Sequence, residues 1–85
     1  MRKYTYHGKN KLKEIIEGIF IAYEYDKRTH GLDEISVRIL DRKIFYAIKQ
    51  LNELEGIKNM CFKAYHKAKL RNLYLKIHNQ QIYKQ

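Results

Sequence analysis

The chain has no proline, no tryptophan, one cysteine and four isolated glycines. Each scarcity excludes something. A lone cysteine, Cys61, cannot build an internal disulfide framework, so a reduced cytoplasmic setting is expected. Scattered glycines offer no nucleotide-binding loop. The longest apolar run, Ile19–Tyr23, is far too short to span a bilayer. The opening MRKYTYHGKNKLKEI lacks the apolar core of a signal peptide, and a soluble intracellular protein is expected.

The most informative absence is acidic. Residues 56–85, GIKNMCFKAYHKAKLRNLYLKIHNQQIYKQ, hold seven lysines and arginines and no aspartate or glutamate. Residues 1–55 hold eleven bases and nine acids. Of a formal charge of +9, therefore, +7 sits in the last thirty residues. Charge confined to one segment directs attention to a polyanionic partner.

Eighty-five residues make a single domain, 1–85. A chain of this size buries only about 60–65% of the surface its unfolded form exposes, so dimerisation would add stability. Hydrophobic residues at 45% and charged residues at 32% fit a folded protein. Abundant lysine, isoleucine, tyrosine and asparagine have A- and T-rich codons, which suits a phage, plasmid or other mobile element.

Periodicity predicts helices. Residues 1–10 read as a polar, basic arm broken by Gly8 and Asn10. From 11 to 25, Leu12, Ile15, Ile16, Ile19, Phe20 and Tyr23 form an amphipathic stripe. A polar loop over 26–34 surrounds Gly31, and Asp33 is placed to cap the next helix. There Val37, Leu40, Ile44, Ala47, Ile48, Leu51 and Leu54 hold one face until Gly56 ends it.

The third helix, from Ile57, carries two stripes. Ile57, Cys61, Ala64, Tyr65, Ala68 and Leu75 share one face, and Leu70, Leu73 and Ile77 lie nearly opposite. One straight helix cannot press both against one core. Either it breaks near Lys69–Leu70, or the second stripe meets another protomer. Cys61, on the first stripe, reads as a small core residue. Residues 79–85 read as a frayed tail. The expected fold is all-α, with three or four helices. The alternative is α+β with a β-hairpin at about 19–40, because GIFIAYEYDKR and EISVRIL also alternate.

The basic helix carries the functional reading. Lys63, Lys67 and Arg71 recur at i, i+4 and i+8, with neighbours ~6 Å apart along the axis, near the spacing of phosphates on one strand. Asn59 begins this row and Tyr74 continues it. Lys58, Lys69 and Lys76 form a second row, and Arg2 and Lys3 in the arm can reach an adjacent groove. No acid in the helix offsets the repulsion of these cations. The stretch IKQLNELEGIKNMCFKAYHK matches a helix-turn-helix in part and departs from it at Asn52 and Glu55; a generic αα-hairpin fits as well.

The expected function is nucleic-acid binding, DNA before RNA, in a regulatory or architectural and non-catalytic role. The alternative is a phage- or plasmid-encoded inhibitor that docks its basic face on an acidic protein surface. Action at an anionic membrane ranks last. No small-molecule substrate, cofactor or metal is expected. His7, His30, His66 and His78 are scattered, and Cys61 and His66 fall ~140° apart on a helix. Asp26, His30, Asp33 and Glu34 cluster, but as a loop and helix cap.

Overall fold

The computed structural model describes residues 4–84, with side chains described from Lys9 to Asn79. Three helices follow one another: α1, Tyr4–Thr29; α2, Glu34–Glu53; and α3, Met60–Lys84. A 3₁₀ turn, Ile57–Asn59, leads into α3. No strand occurs among the described residues, so the fold is all-α. The β-hairpin alternative is overturned, because residues 19–29 belong to α1 and 34–40 to α2. The alternating residues of that stretch also satisfy a helical period, and Ile21, Tyr25, Ile35 and Ile39 simply remain exposed.

Each helix contributes a stripe to one core. Leu12, Ile16, Ile19 and Tyr23 come from α1, and Val37, Leu40, Ile44, Ala47 and Leu51 from α2. The link between them is shorter than the expected loop, covering only residues 30–33. Asp33 caps α2 as expected: one carboxylate oxygen accepts the Ser36 backbone N–H at 2.8 Å. That bond stabilises the ionised carboxylate and holds its pKa below the usual range. At the other end α2 stops at Leu54, and Gly56 turns the chain with φ +100.

From that turn α3 runs back antiparallel along α2. Lys67 meets Asn52, Tyr74 meets Phe45 and His78 meets Asp41, so the contacts march steadily down both helices. This is an αα-hairpin zipped along its length. The motif reading is corrected: a helix-turn-helix sets its helices at a steep angle, about 90–120°. The break expected near Lys69–Leu70 is absent, because α3 is continuous. Segments read as arm and tail are helical from Tyr4 and up to Lys84, while Arg2 and Lys3 lie outside the described residues.

The stripe assigned to the core on α3 is the other one. Leu70, Leu73 and Ile77 are buried, whereas Ile57, Cys61, Ala64, Tyr65, Ala68 and Leu75 are exposed. The reason is side-chain size. Burying a leucine or isoleucine is worth roughly 1.5–3 kcal/mol, far more than an alanine can return. Three large aliphatic side chains clustered within eight residues outweigh a face whose middle is Cys61, Ala64 and Ala68 and whose large members, Ile57, Tyr65 and Leu75, are spread over nineteen residues. Cys61 is accordingly a surface thiol, not a core residue.

Candidate nucleic-acid interface

α3 lies in the groove between α1 and α2, which divides its surface into two seams and an outer face. Lys63 and Lys67 belong to the α2 seam. The Lys63 ammonium donates to the Leu54 carbonyl at 3.0 Å, and Lys67 donates to the Asn52 side-chain oxygen at 2.8 Å. Both cations stand at the C-terminal end of α2, where unsatisfied carbonyls and the helix dipole favour positive charge. Further along this seam Tyr74 packs between Phe45 and His78, at centroid distances of 5.4 and 4.3 Å. His78 Nε2 meets both oxygens of Asp41, at 2.9 and 3.1 Å, and closes the seam.

The α1 seam is also cationic. Lys69 Nζ sits 5.2 Å from the ring centres of Phe20 and Tyr65, and Lys9 Nζ sits 5.2 Å from that of Phe62. Lys76 joins Lys69 in the wall of a shallow cleft with Phe20 and Glu24. His66 is buried here. Its desolvation, followed by the positive fields of Lys69 and Lys13, pushes its pKa below the ordinary histidine value, against a weaker opposing pull from Glu17.

Between the seams lies the outer face. By helical spacing Cys61, Ala64, Ala68 and Asn72 run along its middle, Arg71 stands on its α2 side, and Lys69 and Lys76 stand on its α1 side. Lys58 is exposed on the preceding turn. Among the described residues none of Lys58, Lys63, Lys67, Lys69, Arg71 and Lys76 comes within ion-pair distance of an acid. Five acids of α1, α2 and the link between them pair instead with Arg28, Arg38, His30 and His78: Glu24, Asp26, Asp33, Glu34 and Asp41.

The structure thus sorts the sequence-predicted residues. Lys58, Arg71 and Lys76 offer free cations, Lys69 is exposed with its ammonium over the Phe20 and Tyr65 rings, Lys67 is tethered but exposed to one side, and Lys63 is tied to the end of α2. Asn59 donates to the Glu55 carbonyl at 2.6 Å, and Tyr74 is occupied by packing, so neither is free to read a base. Lys13 was missed, because the parallel neighbourhood of α1 and α3 leaves no mark in the spacing along the chain. The cluster of Asp26, His30 and Asp33 is an exposed end of α1, with His30 3.6 and 4.0 Å from the two carboxylates. No group of three or more histidine, cysteine, aspartate or glutamate side chains among the described residues is placed to hold a metal ion. No helix among them is long and apolar enough to cross a membrane. Comparison with known proteins yields no likeness: no family model, no curated protein and no solved structure matches the chain.

Proposed function

We propose that the protein binds nucleic acid along α3, duplex DNA in preference to RNA, as a non-catalytic regulatory or architectural factor of the cytoplasm. One observation carries the reading. Among the described residues, no acid of α1 or α2 comes within ion-pair distance of Lys58, Lys63, Lys67, Lys69, Arg71 or Lys76. Arg71 on one side of the outer face, with Lys69 and Lys76 on the other, suits a helix laid between two walls of phosphate. A helix is about 10–12 Å across and the B-form major groove about 12 Å wide. Small residues at Cys61, Ala64 and Ala68 allow close approach along the first half of the face, Asn72 lies in line with them, and exposed Tyr65 and Leu75 add apolar contact. The deep, narrow major groove of A-form RNA does not admit a helix, which favours DNA.

The test is fluorescence anisotropy on duplex DNA and on duplex RNA across a salt series. Neutralising four phosphates gives a log–log slope of about −3.6 on DNA. Replacing Lys58, Lys69, Arg71 and Lys76 together by glutamate should abolish binding with the circular dichroism unchanged. Undiminished binding by that variant would overturn the assignment.

A second reading has its own observation. Ile57, 84% exposed, and Met60, 62% exposed, lie at the entry to α3. Apolar contacts next to Lys58 suit an acidic protein surface, as an inhibitor carried by a phage or plasmid would use. A stoichiometric complex that survives nuclease treatment, and that Met60→Glu destroys, would select this reading.

A further inference from the structure

α1 and α2 turn a second surface outward, on the side of the molecule away from α3. Gly18 and Tyr25 on α1 are separated by seven positions, and Ile35, Ile39 and Tyr46 on α2 by four and seven. Each set therefore lies along one side of its helix. Tyr25, Ile35, Ile39 and Tyr46 are all large and all about half exposed or more. An open cleft of about 470 Å³ joins the helices here, walled by Ile15, Gly18 and Ile19 on one side and by Arg42, Lys43 and Tyr46 on the other.

Nothing in the packing of the described residues requires a glycine at position 18. It lies in the middle of α1, it needs no left-handed backbone, and a Cβ added to it would meet nothing within 4 Å. Glycine there costs about 1 kcal/mol of helix stability relative to alanine. Its place at the floor of the cleft gives the backbone to something outside the chain.

We infer that this face is a self-association surface, and that its occupant is a second copy of the same chain packed α1–α2 against α1–α2. Charge supports self-pairing. The face carries both signs, Lys11 and Glu14 before Gly18 on α1 and Arg42 and Lys43 across the cleft, and among the described residues none of the four forms an ion pair. A two-fold axis can set Glu14 of each copy against Arg42 or Lys43 of the other. The same operation on the outer face of α3 would bring together only positive charge. Those α3 charges lie beyond the α1–α2 layer, more than the screening length of about 8 Å at physiological salt. Area also suffices. Two helices some 30 Å long and about 10 Å apart present roughly 600 Å² per copy, the lower end of what a specific dimer buries. Dimerising on this face leaves both α3 helices pointing away from the interface.

The experiment is sedimentation equilibrium of the full chain without nucleic acid, from low micromolar to about 200 µM, a span that covers weak dimers. Wild type should form a concentration-dependent dimer. Tyr46→Glu should weaken it by about 100-fold, a loss in the range of an interface anchor. Gly18→Ala should weaken it by about tenfold, because the added methyl stands where the backbones meet. The same Gly18→Ala chain should melt at a higher temperature when dilute, because the helix gains. This second readout shows that the variant folds and separates a lost contact from a damaged monomer. Tyr65→Glu, on α3, should leave the dimer constant unchanged. The inference is overturned by a wild type that stays monomeric throughout, by a dimer indifferent to both α1–α2 substitutions, or by one that Tyr65→Glu dissolves. Each outcome is independent of whether the chain binds DNA.

Discussion

Lys63 Nζ lies 3.0 Å from the carbonyl oxygen of Leu54, so the first turn of α3 supplies the cation that the last turn of α2 lacks. α2 has no basic residue in its own final turn. A carbonyl left without a donor at a part-buried helix end is costly, and a charged donor that reaches it is worth more than a neutral one. Lys63 is thus held by the fold before any partner arrives.

Replacing Lys63 by methionine should therefore lower stability by about 1.5–3 kcal/mol, the range for a hydrogen bond to a charged donor. Arg71→Met, in the free row, should change it by no more than about 0.5 kcal/mol. Urea denaturation of the two variants gives the comparison. Equal losses would mean that Lys63 is as free as Arg71.

The direction in which α3 faces makes a sharper prediction. Leu70 is fully buried and Leu75 is 56% exposed. Leu70→Ala should cost about 2–5 kcal/mol by leaving a cavity in the core. Leu75→Ala should cost about 0.5 kcal/mol or less, as surface changes do. Reversed magnitudes would return Cys61, Ala64 and Ala68 to the core.

α1 and α2 were legible because one stripe in each holds nearly all the large aliphatic residues. The Asp33 cap and the Gly56 turn were legible because their local chemistry has few rivals. α3 was not. Its apolar residues ring the helix, and periodicity weighs a cysteine or an alanine like a leucine, although the core gains far more from the last. The cationic surface was legible as charge, but not as geometry. Lys63 and Lys67 recur at the same spacing as Arg71, and only packing against the end of α2 tells them apart. Lys13 joins that surface from fifty-three positions away in sequence, close enough for its charge to act on His66.

His66 predicts a pH dependence. It is 8% exposed, Nδ1 has no hydrogen-bond partner, and Phe62 and Tyr65 present ring edges to it at 4.4 and 4.9 Å. Burial first, then Lys69 and Lys13, hold its pKa below the unfolded value near 6.5. The unfolded chain thus binds the proton more readily than the folded one. The neutral ring's contribution to stability is complete above the unfolded pKa and is lost as pH falls below it towards the folded value. The urea midpoint of wild type should drop from about pH 7.5 to 5.5, the window in which histidine titrates. His66→Phe keeps the ring and removes the titration, so its midpoint should fall less. An identical fall in both proteins would remove His66 as the cause.

The two central glycines respond to the same substitution with opposite signs. Gly56 joins α2 to α3 at φ +100 and ψ 145, a region that side chains of the L configuration rarely enter. A Cβ at Gly56 would touch nothing within 4 Å, so any cost of adding one arises in the backbone and not in packing. Gly56→Ala should destabilise by about 1–3 kcal/mol, the usual cost of holding such a conformation. D-alanine at position 56, introduced by chemical synthesis, reverses the chirality of that penalty and should restore most of the loss. Gly18→Ala, inside a regular helix, should instead raise the stability of the dilute chain by up to about 1 kcal/mol. Thermal melts of the three proteins at one low concentration decide the matter. If Gly56→Ala and its D-alanine counterpart melt together, then backbone handedness is not what holds the turn between α2 and α3.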